Sequence, residues 1–175
     1  MNLQLETKQL ILRPLKISDA DAFFKMDANP NVHKYLWQKP VLTIDETIET
    51  IKSVHEQYLN HKIGRFAAVL KTTNEFIGWV GIKFNTDIVN NKTKFYDIGY
   101  RLDEPFWGKG FATEASFAWL DYGFTQLNIQ NMEAAAHIDN TASNRILEKI
   151  GMIKTGSYHE GQVEWNWFEM KNPTI

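Results

Sequence analysis

Residues 10–16 alternate apolar and polar side chains at the two-residue period of a strand. Ser18-Asp19-Ala20-Asp21 then offers an N-cap and early acids ahead of Phe23 and Phe24, predicting a short helix that ends near Asn29-Pro30. Thr43 with Glu46 forms a capping box, and Ile44, Ile48, Ile51, Val54 and Tyr58 recur at spacings of three and four, which begins the first long helix. From Ile63 the period changes. Residues 66–70, a turn at Thr72-Thr73-Asn74 and residues 76–84 predict a hairpin, with a third strand over residues 94–102. Phe111, Ala115, Ala118, Trp119 and Tyr122 then mark one face of a helix ending near Gly123. Residues 132–137 favour helix by alanine propensity, but their shortness and flanking Asn residues assign a strand. A helix over residues 140–150, closed by Gly151, and a hairpin of residues 152–158 with 163–170 complete the pattern.

The order β, α, α, β, β, β, α, β, α, β, β, with no internal repeat, linker or low-complexity tract, predicts a single α+β domain spanning residues 1–175. That length suits one core burying about 70% of the extended-chain surface. Nineteen Lys and Arg against 21 Asp and Glu leave a net charge of −2, so no basic field points to nucleic acid or an anionic membrane. Any anionic ligand must be held by local geometry. The N-terminal residues lack the basic and apolar regions of a secretory signal, and the longest apolar runs are far short of the roughly 20 residues that cross a bilayer. The expected location is the cytoplasm. Asn91-Lys92-Thr93 matches a glycosylation acceptor, but without export Asn90-Asn91 reads as a turn.

Several chemistries fall away on residue type. With no cysteine there is no disulfide framework, thiolate metal site or Cys acyl-enzyme. Five histidines show no His-Glu-x-x-His spacing, so no metal is expected. There is no Gly-x-Ser-x-Gly elbow, and Gly108-Lys109 is followed by Gly110 where a Walker loop needs Ser or Thr. The third glycine position of a dinucleotide fingerprint holds Thr113. What remains is residues 107–114, Trp-Gly-Lys-Gly-Phe-Ala-Thr-Glu, between a strand and a helix. Two glycines and the unpaired amides of a helix start would cradle a phosphate or pyrophosphate; a tight strand-to-helix turn accounts for the same glycines.

Residues 10–14 (Leu-Ile-Leu-Arg-Pro), 98–102 (Ile-Gly-Tyr-Arg-Leu), 107–115 and 140–152 together resemble the GNAT superfamily of N-acetyltransferases that use acetyl-coenzyme A, and more narrowly its RimJ and RimL branch. The resemblance implies a three-layer GNAT-like fold with a central, mixed, mostly antiparallel sheet of about seven strands flanked by helices. It implies that Gly108, Lys109, Gly110, Phe111, Ala112 and Thr113 hold the pyrophosphate of coenzyme A through their main chain. Tyr100, Arg101 and Leu102 would supply main-chain partners to the pantetheine arm, in a gap where their strand splays from residues 132–137. Asn140 would meet the same arm, besides acting as an N-cap, with Ser143 and Asn144 facing the cleft. Arg145 with Lys149 could meet coenzyme A phosphates or form a solvated basic face.

An amine attacking a thioester needs no enzyme nucleophile, so direct transfer in a ternary complex fits the composition. The tyrosine acid that many superfamily members place seven residues after the asparagine is Leu147 here, which leaves Ser143 as the substitute. Asp97 and Glu164 match acidic positions of relatives and stand as candidates for the base or for binding the amine, with Glu160 a weaker one. Asp97 could instead pair with Arg101 on the same strand face. The expected partners are acetyl-coenzyme A and an amine acceptor such as a peptide N-terminus or a polyamine, and a homodimer is common in the branch. Two other readings are a coenzyme A sensor without turnover, and a carbohydrate or single-strand platform on Tyr158, Trp165, Trp167 and Phe168.

Overall fold

The computed structural model describes residues 3–173; Met1, Asn2, Thr174 and Ile175, the ends of the expected domain, lie outside them. Eight strands form one sheet: β1 (Leu5–Glu6), β2 (Leu10–Pro14), β3 (Gly64–Leu70), β4 (Phe76–Asn85), β5 (Phe95–Leu102), β6 (Asn131–His137), β7 (Ile153–Glu160) and β8 (Val163–Lys171). Their order in the sheet is β1-β2-β3-β4-β5-β6-β8-β7. Every pairing is antiparallel except β5 with β6. That pair is joined by helix α4 (Phe111–Thr125), the crossover that parallel neighbours require.

The seven expected strands are present, and the two-residue β1 adds an eighth by pairing Leu5 with Leu12. Helix α1 (Ala20–Asp27) is not begun by an acid turned onto its own amides. Asp19 instead accepts from Lys16 N at 2.8 Å and from both Arg13 guanidinium nitrogens at 2.7 and 2.8 Å. A one-turn helix, α2 (Pro30–His33), follows Asn29, whose side chain caps it through Asn31 N. Helix α3 (Ile44–His61) starts on Thr43, whose hydroxyl accepts from Glu46 N, and buries Thr47, Ile51, Val54 and Tyr58. Helix α4 runs past Gly123 to Thr125, because Gly123 is a buried contact point against Ile82 and Met132. Helix α5 (Thr141–Lys149) begins on Asn140 as expected. One core holds Phe23, Phe66, Trp119 and Phe168, with Trp119 packed edge-on against Phe66 at 4.6 Å. No described helix is long and apolar enough to cross a membrane.

Candidate active site

The parallel pairing of β5 and β6 lasts for two positions, Tyr96 with Met132 and Asp97 with Glu133. Beyond them the strands part, while β5 keeps all eight pairs to β4 and β6 keeps seven to β8. Residues 98–102 therefore carry main-chain groups on one edge that no strand meets. A cleft of about 350 Å³ occupies the split. Tyr100, Ser143 and Leu147 line it from the α5 side of the sheet, and Arg65, Asp97 and Arg101 from the opposite side.

At the end of β5, Gly108 and Gly110 adopt φ of 71° and 84°, where L side chains are disfavoured, and a Cβ at either would meet nothing within 4 Å. Gly110 is the N-cap of α4 and no side chain caps it. The first helical bond runs from Glu114 N to Gly110 O at 2.9 Å, so the amides of Phe111, Ala112 and Thr113 have no carbonyl of the helix to meet. Glu114 is turned away, its carboxylate engaged by Thr7 Oγ1, Gln9 N and Gln9 Nε2. The cradle is thus open and unopposed by its nearest acid. Phe111 and Ala112 bury their side chains, and Lys109 Nζ stands 5.5 Å from the Phe106 ring, so what this turn offers is main chain. Trp107 points its indole nitrogen back onto Leu102 O at 2.7 Å, which occupies one of the carbonyls expected to be available.

Asn140 accepts from Ser143 N at 3.0 Å through Oδ1. Asn144, expected to face a ligand, is a tie: Nδ2 donates to Asn140 O and His137 O, and Oδ1 accepts from Asn166 Nδ2 at 2.7 Å. Arg145 is exposed. Ser143 meets Tyr100, whose hydroxyl lies 3.0 Å from both Ser143 O and Ser143 Oγ. Burial pushes the Tyr100 phenol well above its ordinary value, and the Ser143 bond opposes that shift. A tyrosine hydroxyl thus reaches the cleft from β5, while the position seven after Asn140 is the buried Leu147.

Asp97 does not pair with Arg101. Gly99 leaves room for Arg65 to lie across the sheet, where it donates to Gly81 O, to Asp97 O at 2.9 Å and to Asp97 Oδ2 at 2.5 Å. A Cβ on Gly99 would stand 2.7 Å from that guanidinium. Arg101 instead binds Asp27 of α1 at 2.9 and 3.0 Å. Both guanidiniums face the Trp79 ring, at 5.4 and 5.2 Å. Glu164 falls on the other face of β8 from Trp165, does not line the cleft, and accepts from Ser157 Oγ at 2.9 Å. Glu160 is a lining residue.

Trp165, Trp167 and Phe168 are buried, so the C-terminal hairpin is no exposed platform. Trp165 and Trp167 form a wall of the cleft, with Trp37 on Trp165 at 5.5 Å and Tyr158 on Trp167 at 5.6 Å. Burial, with Glu160 and then Asp97 nearby, pushes the Tyr158 phenol up to about 12. Arg65, Trp37 and the Tyr100 hydroxyl carried no local sequence signal, because contacts between segments distant in the chain bring them to the cleft.

A sheet split beside an uncapped, glycine-led helix is the frame of an acyltransferase that uses coenzyme A. Residues 9–153 match the family described as Acetyltransferase (GNAT) domain, and the chain belongs to it. It is 34% identical over 152 residues, 87% of this chain and 83% of the relative, to the uncharacterized N-acetyltransferase p20 of Bacillus licheniformis. It is 26% identical to spermidine N(1)-acetyltransferase of Escherichia coli, covering 83% and 73% of the two chains. A solved structure of RimL, a ribosomal L7/L12 alpha-N-protein acetyltransferase in complex with coenzyme A, shares the fold with a TM-score of 0.84 at 18% identity, over 99% and 100% of the two chains.

Proposed function

We propose that this acyltransferase moves an acetyl group from acetyl-coenzyme A directly to a primary amine while both are bound. The observation that carries the reading is the cleft through the split of β5 and β6, lined from both faces of the sheet. The fit to coenzyme A rests on the open amides of residues 110–113 and the unpaired edge of β5. Bound acetyl-coenzyme A would supply the thioester carbonyl that the amine attacks. The chain's residues position that attack. Main-chain amides at the start of α4 hold the anionic end, an amide on the β5 edge donates to the oxygen that gains charge, and Asn140 directs its side-chain nitrogen to the arm. Asp97 takes a proton from the amine, and the Ser143 and Tyr100 hydroxyls return one to the departing sulfur.

The aromatic wall and the buried Trp165 Nε1, which has no partner among the described residues, lie where the acceptor enters. The printed names of two similar proteins, a spermidine acetyltransferase and a ribosomal-protein alpha-N acetyltransferase, support an amine acceptor, of which a RimJ- or RimL-like peptide N-terminus is one form. Acetyl-coenzyme A at about a thousand times its dissociation constant should stabilise the fold by about 4 kcal/mol, seen as a raised melting temperature. Thiol release over a panel of peptides, polyamines and amino acids, with products read by mass spectrometry, then identifies the acceptor. No thermal shift at saturation overturns the reading. A shift without thiol release makes the protein a sensor of the coenzyme.

A further inference from the structure

Glu133 is 5% exposed at the root of the split. It is the Cα partner of Asp97 on β5 and of Glu169 on β8, so three acids stand side by side on one face of the sheet. Two cations meet them. Arg65 binds Asp97 through Oδ2, and Lys92 reaches Glu133 Oε1 at 3.3 Å and Glu169 Oε1 at 2.5 Å. Lys92 arrives there because Asn90 and Asn91 both take positive φ, 48° and 59°, in a two-residue turn closed by the Val89 and Lys92 bonds. Lys83 is the Cα partner of Asp97 on β4, and Lys171 follows Glu169 two residues along β8.

The two cations leave one oxygen on each central acid. Asp97 Oδ1 and Glu133 Oε2 are both buried, and neither has a hydrogen-bond partner among the described residues. Two unpartnered carboxylate oxygens on paired positions of neighbouring strands repel one another unless a proton comes between them. We infer that Asp97 and Glu133 act as one coupled base: Asp97, which lines the cleft, takes the proton that the acceptor ammonium gives up, and Glu133 holds it at Oε2.

The inference rests on the acetyltransferase reading above. In the step, an N–H bond of the ammonium breaks and its electron pair stays on nitrogen. An O–H bond forms at Asp97, then breaks as one forms at Glu133, and the pair goes from two negative charges to one. The second proton shed by nitrogen ends on the thiol, and the pair releases its own to solvent before the next turnover. Asp97 touches the substrate, and Glu133 acts through it as a positioning residue. Burial, with Glu169 and Asp97 nearby, pushes the Glu133 carboxyl above its ordinary range, and Lys92 opposes this. Glu133 therefore holds a proton more readily than an exposed carboxylate does.

The test is a side-chain carbon NMR titration of Glu133 in protein labelled at glutamate, together with the pH profile of kcat. Asp97→Asn should lower the Glu133 midpoint by removing a like charge. Lys92→Met should raise it, and the acid limb of kcat should move up with it. Glu133→Gln should lower kcat at neutral pH by about tenfold or more and change the KM for acetyl-coenzyme A by less than about twofold. A Glu133 midpoint indifferent to Asp97→Asn overturns the inference. So does a Lys92→Met acid limb that stays put, since a purely structural ion pair would change stability and leave the limb alone. Should Glu133→Gln fail to fold, the other two variants decide. Wild-type protein that releases no thiol with any amine overturns the acetyltransferase reading and this inference together; wild-type turnover with an unmoved limb overturns the pair alone.

Discussion

Gly110 combines a backbone requirement with open space: φ is 84°, and nothing lies within 4 Å of the place a Cβ would take. Aspartate tolerates left-handed backbone better than most residues, and its charge suits a helix start. Gly110→Asp should therefore leave the unfolding midpoint in urea nearly unchanged. The same carboxylate would stand where we propose that the anionic end of acetyl-coenzyme A binds, so affinity should fall by about tenfold to a hundredfold, measured by calorimetry. Unchanged affinity would mean that the cradle lies elsewhere. Arg65 is the complementary case. Its guanidinium fits only because Gly99 has no side chain, and it meets two strands at once.

At the scale of elements, α1, α2 and β5 are joined by one buried contact. Asp27 is 4% exposed, binds Arg101 of β5, and has His33 Nε2 of α2 at 3.8 Å. Burial first, and then Arg101, holds the His33 imidazole below its ordinary pKa, with Asp27 opposing. The folded chain thus resists a proton that the unfolded chain accepts. The stability this contributes is complete above the ordinary imidazole range and is lost as pH falls through it. His33→Gln should flatten the acid side of the stability curve, measured as urea midpoints from about pH 8 to about pH 5. An equally steep curve would show that another group titrates there. The loosening should be felt at the cleft, because Arg101 also packs on Trp79 in its wall.

For the whole molecule, the decisive feature is that the split lets the cleft be lined from both faces of one sheet. An acyl donor and an amine can then meet in the middle with neither leaving first, and no cysteine is present to carry the acetyl group between them. Initial rates at several fixed amine concentrations should give intersecting double-reciprocal lines. Parallel lines would show a covalent acyl-enzyme and overturn direct transfer.

Local order was legible in the sequence wherever one segment carries its own signal. The N-cap of Thr43, the long strands, the two-residue Asn90-Asn91 turn, the Asn140 cap and the glycine turn at Gly108 and Gly110 are short-range chemistry, so the residues announce them. The one-turn α2 and the two-residue β1 are too short for a period, and Gly123 ends no helix because a neighbouring strand needs its missing side chain. The partners of Asp97 and Glu133 were not legible. Arg65 lies 32 residues from Asp97 and Lys92 lies 41 from Glu133, so the register of β3, β4, β5 and β6, with the 89–92 turn carrying Lys92, brings them together. The sequence by itself determined the longer elements, their order and the glycine turn before α4, since those depend on neighbours along the chain. Which charges meet, which oxygens stay unpartnered and where the sheet splits were decided by the tertiary structure, since those depend on how distant strands align and what their alignment removes from water.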